Sequence, residues 1–507
     1  MKPPSKYARV LAGVAAAVLV ISSAATAVAA PKDPAAPPAE PASTPVVYDL
    51  VEGQIYSYVL NARLLTPGQQ MLVENAVADA GGVVVASWPQ IGVVVAHSTH
   101  VNFEAQVMKV AKGNSVASIG LTRGAPVKEG TPEGSGKTTN GATGKGQQGF
   151  GDGEAVTPDP NEAVRQWNMR IIGAQDAHNI TDGSADVLVG ILDSGIDPNH
   201  PELVDRLNKE ASVNCANAGA PDTSPTGYYY NNPHGVHVAG IIAASRNGVG
   251  IVGVAPNVKI AAIRVGNGDG YIYPEYAICG FVWAADHGVD VTNNSYFIDP
   301  FEYWCSDQPD QAAVKEAVTR AVNYATSKGV VSVAAAGNSA TDLNYSTQAR
   351  YKNTDTGSPS DAAKPTVRTL NSGCTSLPTE LDGVVSVSSI AYNQTTGVIS
   401  LSSFSNRGLG KIDVAAPGST IYSTLPNNSY GNMSGTSMAS PHVAGVLALM
   451  KSAHPDWTPA QMIVALRAEA TPLPCPSNAI GGAACVGTTE QNSYYGFGLV
   501  NALGAVS

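Results

Sequence analysis

Four short stretches carry residues of the type and setting that polar bond chemistry needs. "VLVGILDSGID" ends an apolar run on Asp193 and turns at once; "NPHGVHVAG" presents His234 and His237 three apart; "VAAAGNS" leaves Asn338 just past another apolar run; "NMSGTSMASPHVAG" puts Ser437 behind Gly435 and Thr436. A carboxylate at the end of a buried strand is only partly solvated and can hold an imidazole in one tautomer. Asp before Ser-Gly is equally a strand-end cap. His234 follows Pro233, a residue tolerated in a first helical turn. There the positive end of the dipole disfavours imidazolium and helps keep the ring neutral, as a general base requires. The His-x-x-His spacing would also suit two metal ligands, but no third His or Cys is placed nearby to complete a zinc site. A serine at a helix start after a Gly-containing turn offers its hydroxyl and its own N–H to a cleft, or merely caps the helix. The Asn338 amide could be a second donor to an oxyanion, or a turn residue. Each structural reading is sound alone. Together they must also explain why all four residues lie in small-residue, Gly-rich settings on what reads as a single sheet.

That sheet is legible. From about residue 161 the chain carries short apolar, β-rich runs: "ADVLVGILDSGID", "VKIAAIRV", "GVDVTNNS", "GVVSVAAAGN" and "GVVSVSSI". They are bounded by Gly, Asp or Asn and separated by helical stretches or loops. Continuous rather than alternating apolar runs indicate strands covered on both faces, hence an α/β fold with a mainly parallel, doubly wound sheet. Chemistry in such sheets gathers at the carboxyl ends of the strands, where Asp193, Ser295 and Asn338 fall.

Upstream, residues 46–122 read as a smaller α+β unit. The order is strand, helix, strand, strand, helix, strand, the split βαβ or ferredoxin-like pattern. Residues 30–45 are a Pro/Ala-rich spacer, and 123–160 a Gly/Thr/Lys linker with nothing to bury and open to proteolysis. Lys2, Lys6 and Arg9 precede an apolar stretch closing on Ala27-Val28-Ala29, which reads as a secretory signal over 1–29, cut after Ala29. An uncleaved anchor is the alternative, weakened by the many alanines. At 507 residues the chain exceeds one ordinary domain. Its 44% hydrophobic and 14% charged residues are globular composition. A net charge of -11 without a long Lys/Arg run argues against nucleic acid or anionic membranes as partners. Six cysteines in an exported chain imply disulfides; of the 15 possible pairings, Cys475 with Cys485 is the local candidate.

"ILDSGIDPNHPEL", "HGVHVAGIIAA", "VAAAGNS" and "GTSMASPHVAG" resemble the Asp, His, Asn and Ser signatures of the subtilisin-like serine peptidases, and the Asp…His…Ser order matches that of subtilisin. The resemblance runs from about Gln166 to the C-terminal "YGFGLVNA". It implies a peptidase domain over 161–507, with Ser437 as nucleophile, His234 as general base and acid, Asp193 as its orienting carboxylate, and Asn338 with the Ser437 N–H as oxyanion hole. It implies that substrate lies along Ser295, Tyr296, Phe297, Ala336 and Gly337, and that 46–122 is an inhibitory, folding-assisting propeptide. The whole would be a secreted endopeptidase made as an autoprocessed zymogen. Its expected partners are peptide substrates and its own propeptide; it should act as a monomer without a catalytic cofactor. Two departures stand out. Val236 replaces the family's Thr between the histidines. Ser295-Tyr296-Phe297-Ile298 replaces Ser-Leu-Gly-Gly, and its larger side chains should reshape the substrate cleft. "SRNGVGIVGVAP" has the shape of the family's calcium loop, with Asn247 and Glu202 as candidate ligands. The third family ligand has no clear match, so calcium stays open as a structural ion.

Overall fold

The computed structural model describes residues 40–128, 165–229, 232–345, 352–362, 365–480 and 484–507. The signal (1–29), most of the spacer (30–39) and most of the linker (129–160) lie outside the described residues.

Residues 56–121 form a four-stranded antiparallel sheet in the order β2 (Val83–Trp88), β3 (Val93–Ser98), β1 (Tyr56–Ala62), β4 (Val116–Leu121). The helices α1 (Pro67–Asp79) and α2 (Phe103–Ala111) cover one face. Thr66 caps α1 by accepting the Gln69 N–H, with Pro67 in the first turn. Alternation within β1 splits the burial: Tyr56, Tyr58 and Leu60 pack under these helices, whereas Val59 packs with Val93, Val95 and Val318 on the other face. Packing continues past β4 to Val127, whose N–H bonds Ile55. At the other end Ser43, in the segment read as spacer, is buried and bonded to Asp307.

The second sheet runs β11 (Val398–Leu401), β10 (Val384–Asn393), β9 (Val331–Ala335), β8 (Val291–Asn294), β5 (Leu188–Asp193), β7 (Lys259–Arg264), β6 (Val213–Asn214), and β12 (Val414–Pro417) also pairs with β10. All neighbours are parallel except β11 with β10. Both faces are buried, which is why the strands read as unbroken apolar runs. In β5, Val189 and Ile191 face a core shared with α3 (Pro233–Ala243) and α6 (Thr436–Ala453). Leu188 and Leu192 face the core shared with α4 (Pro274–Asp286) and α5 (Pro309–Ser327). α6 is buried along most of its length, as a helix apolar all round must be. A hairpin, β13 (Ile421–Leu425) with β14 (Ser429–Met433), lies against α3. All six cysteines are paired, as Cys215–Cys279, Cys305–Cys374 and the local Cys475–Cys485.

Candidate active site

Asp193 closes β5 at the carboxyl edge of the sheet and is buried. One of its oxygens accepts the Ser194 N–H at 2.7 Å. His234 stands in the first turn of α3, started by Pro233 and capped by Asn232, whose side chain accepts the His234 N–H at 2.9 Å. Gly235 makes the approach possible. A Cβ there would collide with the Gly195 carbonyl oxygen and lie 3.2 Å from Asp193 Oδ1. The His234 ring therefore reaches the carboxylate squarely, with Nδ1 at 2.8 and 3.0 Å from its two oxygens. That contact assigns the proton to Nδ1 and leaves the Nε2 lone pair available. Burial pushes the imidazole pKa down, but the charge and hydrogen bond of Asp193 outweigh it, so the ring is raised above its ordinary value. The sequence expectation of a ring biased towards neutrality considered the helix start alone; the Asp193 carboxylate facing the ring acts the other way.

His237, one turn on, is fully buried and its Nε2 donates to the carbonyls of Ile421 (2.9 Å) and Gly431 (3.2 Å). Burial drives its pKa down to about 3. It is a neutral tie between α3 and the hairpin. Ser423 and Thr424 complete the tie by donating their hydroxyls to the carbonyls of His237 and Val236. The two histidines share a motif and nothing else.

Ser437 is the second residue of α6, after Gly435 at the cap. Pro441, four residues on, has no N–H to give the Ser437 carbonyl. Ser295 fills that vacancy: its hydroxyl donates to the Ser437 carbonyl at 2.8 Å, while Ser437 Oγ donates to the Ser295 carbonyl at 3.2 Å. No hydrogen bond joins Ser437 to His234 here, as is common before substrate tightens such a contact. Asn293 steadies the pair, donating to Ser295 Oγ and accepting from Ser440.

The Asn338 side-chain oxygen accepts from both the N–H (2.8 Å) and the hydroxyl (2.9 Å) of Thr436, which turns its amide nitrogen the other way. A Cβ built on Gly435 would lie 3.5 Å from that nitrogen and 3.5 Å from the Ser437 N–H nitrogen. Two donors therefore bound one small space beside the Ser437 hydroxyl. Thr436, which also accepts the Gly337 N–H, was not singled out from the sequence, although its place between Gly435 and Ser437 was visible. Nor was the Ser295–Ser437 exchange, for which Pro441 at four residues was the signal.

The other expected substrate residues are less open. The Ala336 and Gly337 carbonyls accept from the side chain and backbone of Asn406. Tyr296 turns its hydroxyl back to Asn294 at 2.9 Å and packs its half-buried ring on the α4–α5 core. Burial, then the Asp193 charge, push its pKa well up, so it stays a neutral phenol.

The calcium loop does not fit its ion. Glu202 accepts from the Ile251 N–H (3.0 Å), the Tyr430 hydroxyl (2.9 Å) and the Asn247 amide (3.2 Å), while the Asn247 oxygen accepts the Val249 N–H. Burial lifts Glu202 to about 7. Calcium needs six to eight oxygens led by ionised carboxylates; here the single acid is already met by three donors. The one cluster of His, Cys, Asp and Glu with metal-like spacing among the described residues is Cys305, Asp307 and Cys374, and its two sulfurs are bonded to each other.

With this geometry in hand, comparison with known proteins is decisive. The model of the subtilase family matches residues 184–498, the span that holds all four residues. The chain belongs to the subtilase family. Subtilisin BL of Lederbergia lenta is 33% identical over 337 residues, covering 66% of this chain and 96% of that protein. Subtilisin E of Bacillus subtilis (strain 168) is 32% identical over 66% of this chain and 69% of its own length. Among solved structures, the epidermin leader peptide processing serine protease of Staphylococcus aureus aligns over 90% of this chain and 98% of its own, at TM-score 0.61 and 21% identity. Fervidolysin of Fervidobacterium pennivorans, described as a keratinolytic enzyme related to subtilisin, aligns over 90% at TM-score 0.58 and 23% identity; this chain spans 62% of that protein. At such identities these two speak to fold alone. This subtilase is accordingly a serine endopeptidase acting on proteins, with no catalytic cofactor.

Proposed function

We propose that Ser437 is the nucleophile of this peptidase, that His234 takes its proton and returns it to the leaving amine, and that Asp193 holds the ring and steadies its charge. Attack on the scissile carbonyl forms a tetrahedral oxyanion, held by the Asn338 amide and the Ser437 N–H; its collapse leaves an acyl-enzyme that water hydrolyses. The observation that carries the reading is the Asp193–His234 contact at 2.8 Å, which leaves Nε2 as the only basic atom of the ring. Substrate would run past Ser295, Tyr296, Phe297, Ala336 and Gly337.

The same reading makes 1–29 a secretory signal, 46–122 a propeptide and 123–160 the segment cut on maturation, giving a secreted, monomeric enzyme. It is supported by the hold of β1 and its neighbours on α5: Asn61 donates to the Ala313 carbonyl at 2.8 Å, and Arg320 to the carbonyls of Ala62, Ile91 and Gly92. A fluorophosphonate probe tests the chemistry. Wild type should be labelled and should lose its N-terminal unit; Ser437→Ala should remain full length and unlabelled. An unreactive wild type would sink the reading.

A further inference from the structure

Glu275, in the first turn of α4, is wholly buried, and neither of its carboxylate oxygens meets a hydrogen bond of good geometry. What faces it comes from the far side of a seam. The Arg123 guanidinium, 2% exposed and just beyond β4, stands 3.4 Å away, and the hydroxyls of Thr122 and Ser57 close over the same carboxylate. The guanidinium carbon lies over the Tyr273 ring, 4.2 Å from its centroid, and Nη1 donates to the Tyr276 hydroxyl at 3.2 Å. Asp361 grips the same strand of chain by its backbone, one oxygen accepting the N–H groups of Gly124 (3.1 Å) and Ala125 (3.0 Å) while the other is buried without a partner. So Glu275, Asp361, Tyr273 and Tyr276 belong to the peptidase unit, and Arg123, Gly124 and Ala125 to the arm that leaves β4, the first residues of the stretch read as linker.

Resting on the reading of that arm as a propeptide, we propose that Glu275 and Asp361 form a recess that in the mature enzyme takes an arginine of the substrate, upstream of the scissile bond. Once the arm leaves, a carboxylate built for a partner has none, and the strongest partner for it is a charged fork. The walls choose the fork. A planar cation stacks on Tyr273 while reaching both Glu275 and the Tyr276 hydroxyl; an ammonium cannot do all three. Asp361 supplies the main-chain clamp that fixes the register. Because Arg123 precedes the proposed cut, an arginine bound in the same chain direction lies on the N-terminal side of the scissile bond. The recess deepens the family activity into a substrate class: peptides with arginine at one set position upstream.

The test is cleavage profiling of a random peptide library by the mature enzyme, wild type and Glu275→Gln. Arginine should be enriched over lysine by about tenfold or more at a single upstream register, the scale expected where a buried charge pair is at stake. Glu275→Gln should lose that enrichment while kcat/KM on arginine-free peptides changes less than about twofold, since the groups around Ser437 are untouched. Cleavage without an arginine register, or a register that survives Glu275→Gln, overturns the recess and leaves the peptidase reading standing. If Glu275→Gln fails to mature, Arg123→Met/Glu275→Gln, which removes both halves of the pair, takes its place; failing that, the wild-type profile alone decides. No cleavage of any peptide, with no labelling of Ser437, would instead sink the parent reading and this one with it.

Discussion

Gly435→Ala separates the proposed oxyanion hole from the fold. Gly435 has φ 163° and ψ 162°, extended backbone that any residue adopts. The nearest atoms to an added Cβ are Asn338 Nδ2 at 3.5 Å, the Ser437 backbone nitrogen at 3.5 Å and Ser437 Cβ at 3.7 Å, all ordinary contacts. The substitution therefore costs little in the folded state, and by restricting the unfolded chain it should leave stability unchanged or raise it by about 0.4–1 kcal/mol. Its effect on catalysis is different in kind. An oxyanion must come within about 2.7–3.1 Å of both donors, and the new methyl crowds that space. Removing one such donor in subtilisin, the worked case for this magnitude, costs about 100- to 1,000-fold in kcat. Obstructing two should cost at least about 1,000-fold, but less than the product of two single losses, because the donors act as a unit. The assay is kcat and KM on a peptide substrate beside a thermal melt, with separately produced wild type matured in the same way. The expected pattern is a collapsed kcat, a KM within a few-fold, and an unmoved Tm. A Gly435→Ala enzyme with kcat within about tenfold of wild type would refute the convergence of Asn338 and Ser437 on one space; an unfolded one would refute the backbone argument.

Asp193→Asn should lower kcat by about 10,000-fold through the wrong His234 tautomer. With the charge gone, the acid limb of kcat/KM, which in wild type follows a raised His234, should move to lower pH. Glu104 in α2 shares a hydrogen bond with Asp310 in the first turn of α5, and burial followed by the Asp310 charge lifts it to about 8. A folded pKa above the unfolded value gives stability that is full below pH 4.5 and lost as pH rises towards 8. Release of the cut N-terminal unit should therefore speed up over that window. Tyr48 and Tyr58 also face the pair but remain neutral there, so Glu104→Gln should flatten the profile; an unaltered profile would exonerate the pair. Chelation should leave Tm unchanged, since the Glu202 loop is closed by its own donors, and a fall of several degrees that calcium restores would overturn this. Val236→Thr adds a hydroxyl in a fully buried position and should give a several-fold gain or no change in rate; a collapse would mean that the support of His234 by α3 has been misjudged.

What made the site legible is that its residues depend on local constraints. A buried parallel strand must be apolar throughout, so its end is marked by the first polar residue, Asp193. A helix that starts at a reactive side chain needs small neighbours, so Gly235 and Gly435 flank His234 and Ser437. What stayed hidden depends on pairs distant in sequence. Ser295 meets Ser437 across 142 residues because Pro441 frees a carbonyl, and Arg123 meets Glu275 because a sheet built from residues 56–121 docks on α4 and α5. Composition even argues against the latter, since a Gly-rich stretch from residue 123 reads as linker, yet its first residue is among the most buried cations of the described residues. An arginine is indifferent to its neighbours in sequence; residues of α4 far along the chain, Glu275 and Tyr276 with Tyr273 just before it, give it a place. Local patterning thus exposes the residues proposed for the chemistry, while the selectivity proposed for Glu275 rests on contacts that only the folded chain brings together.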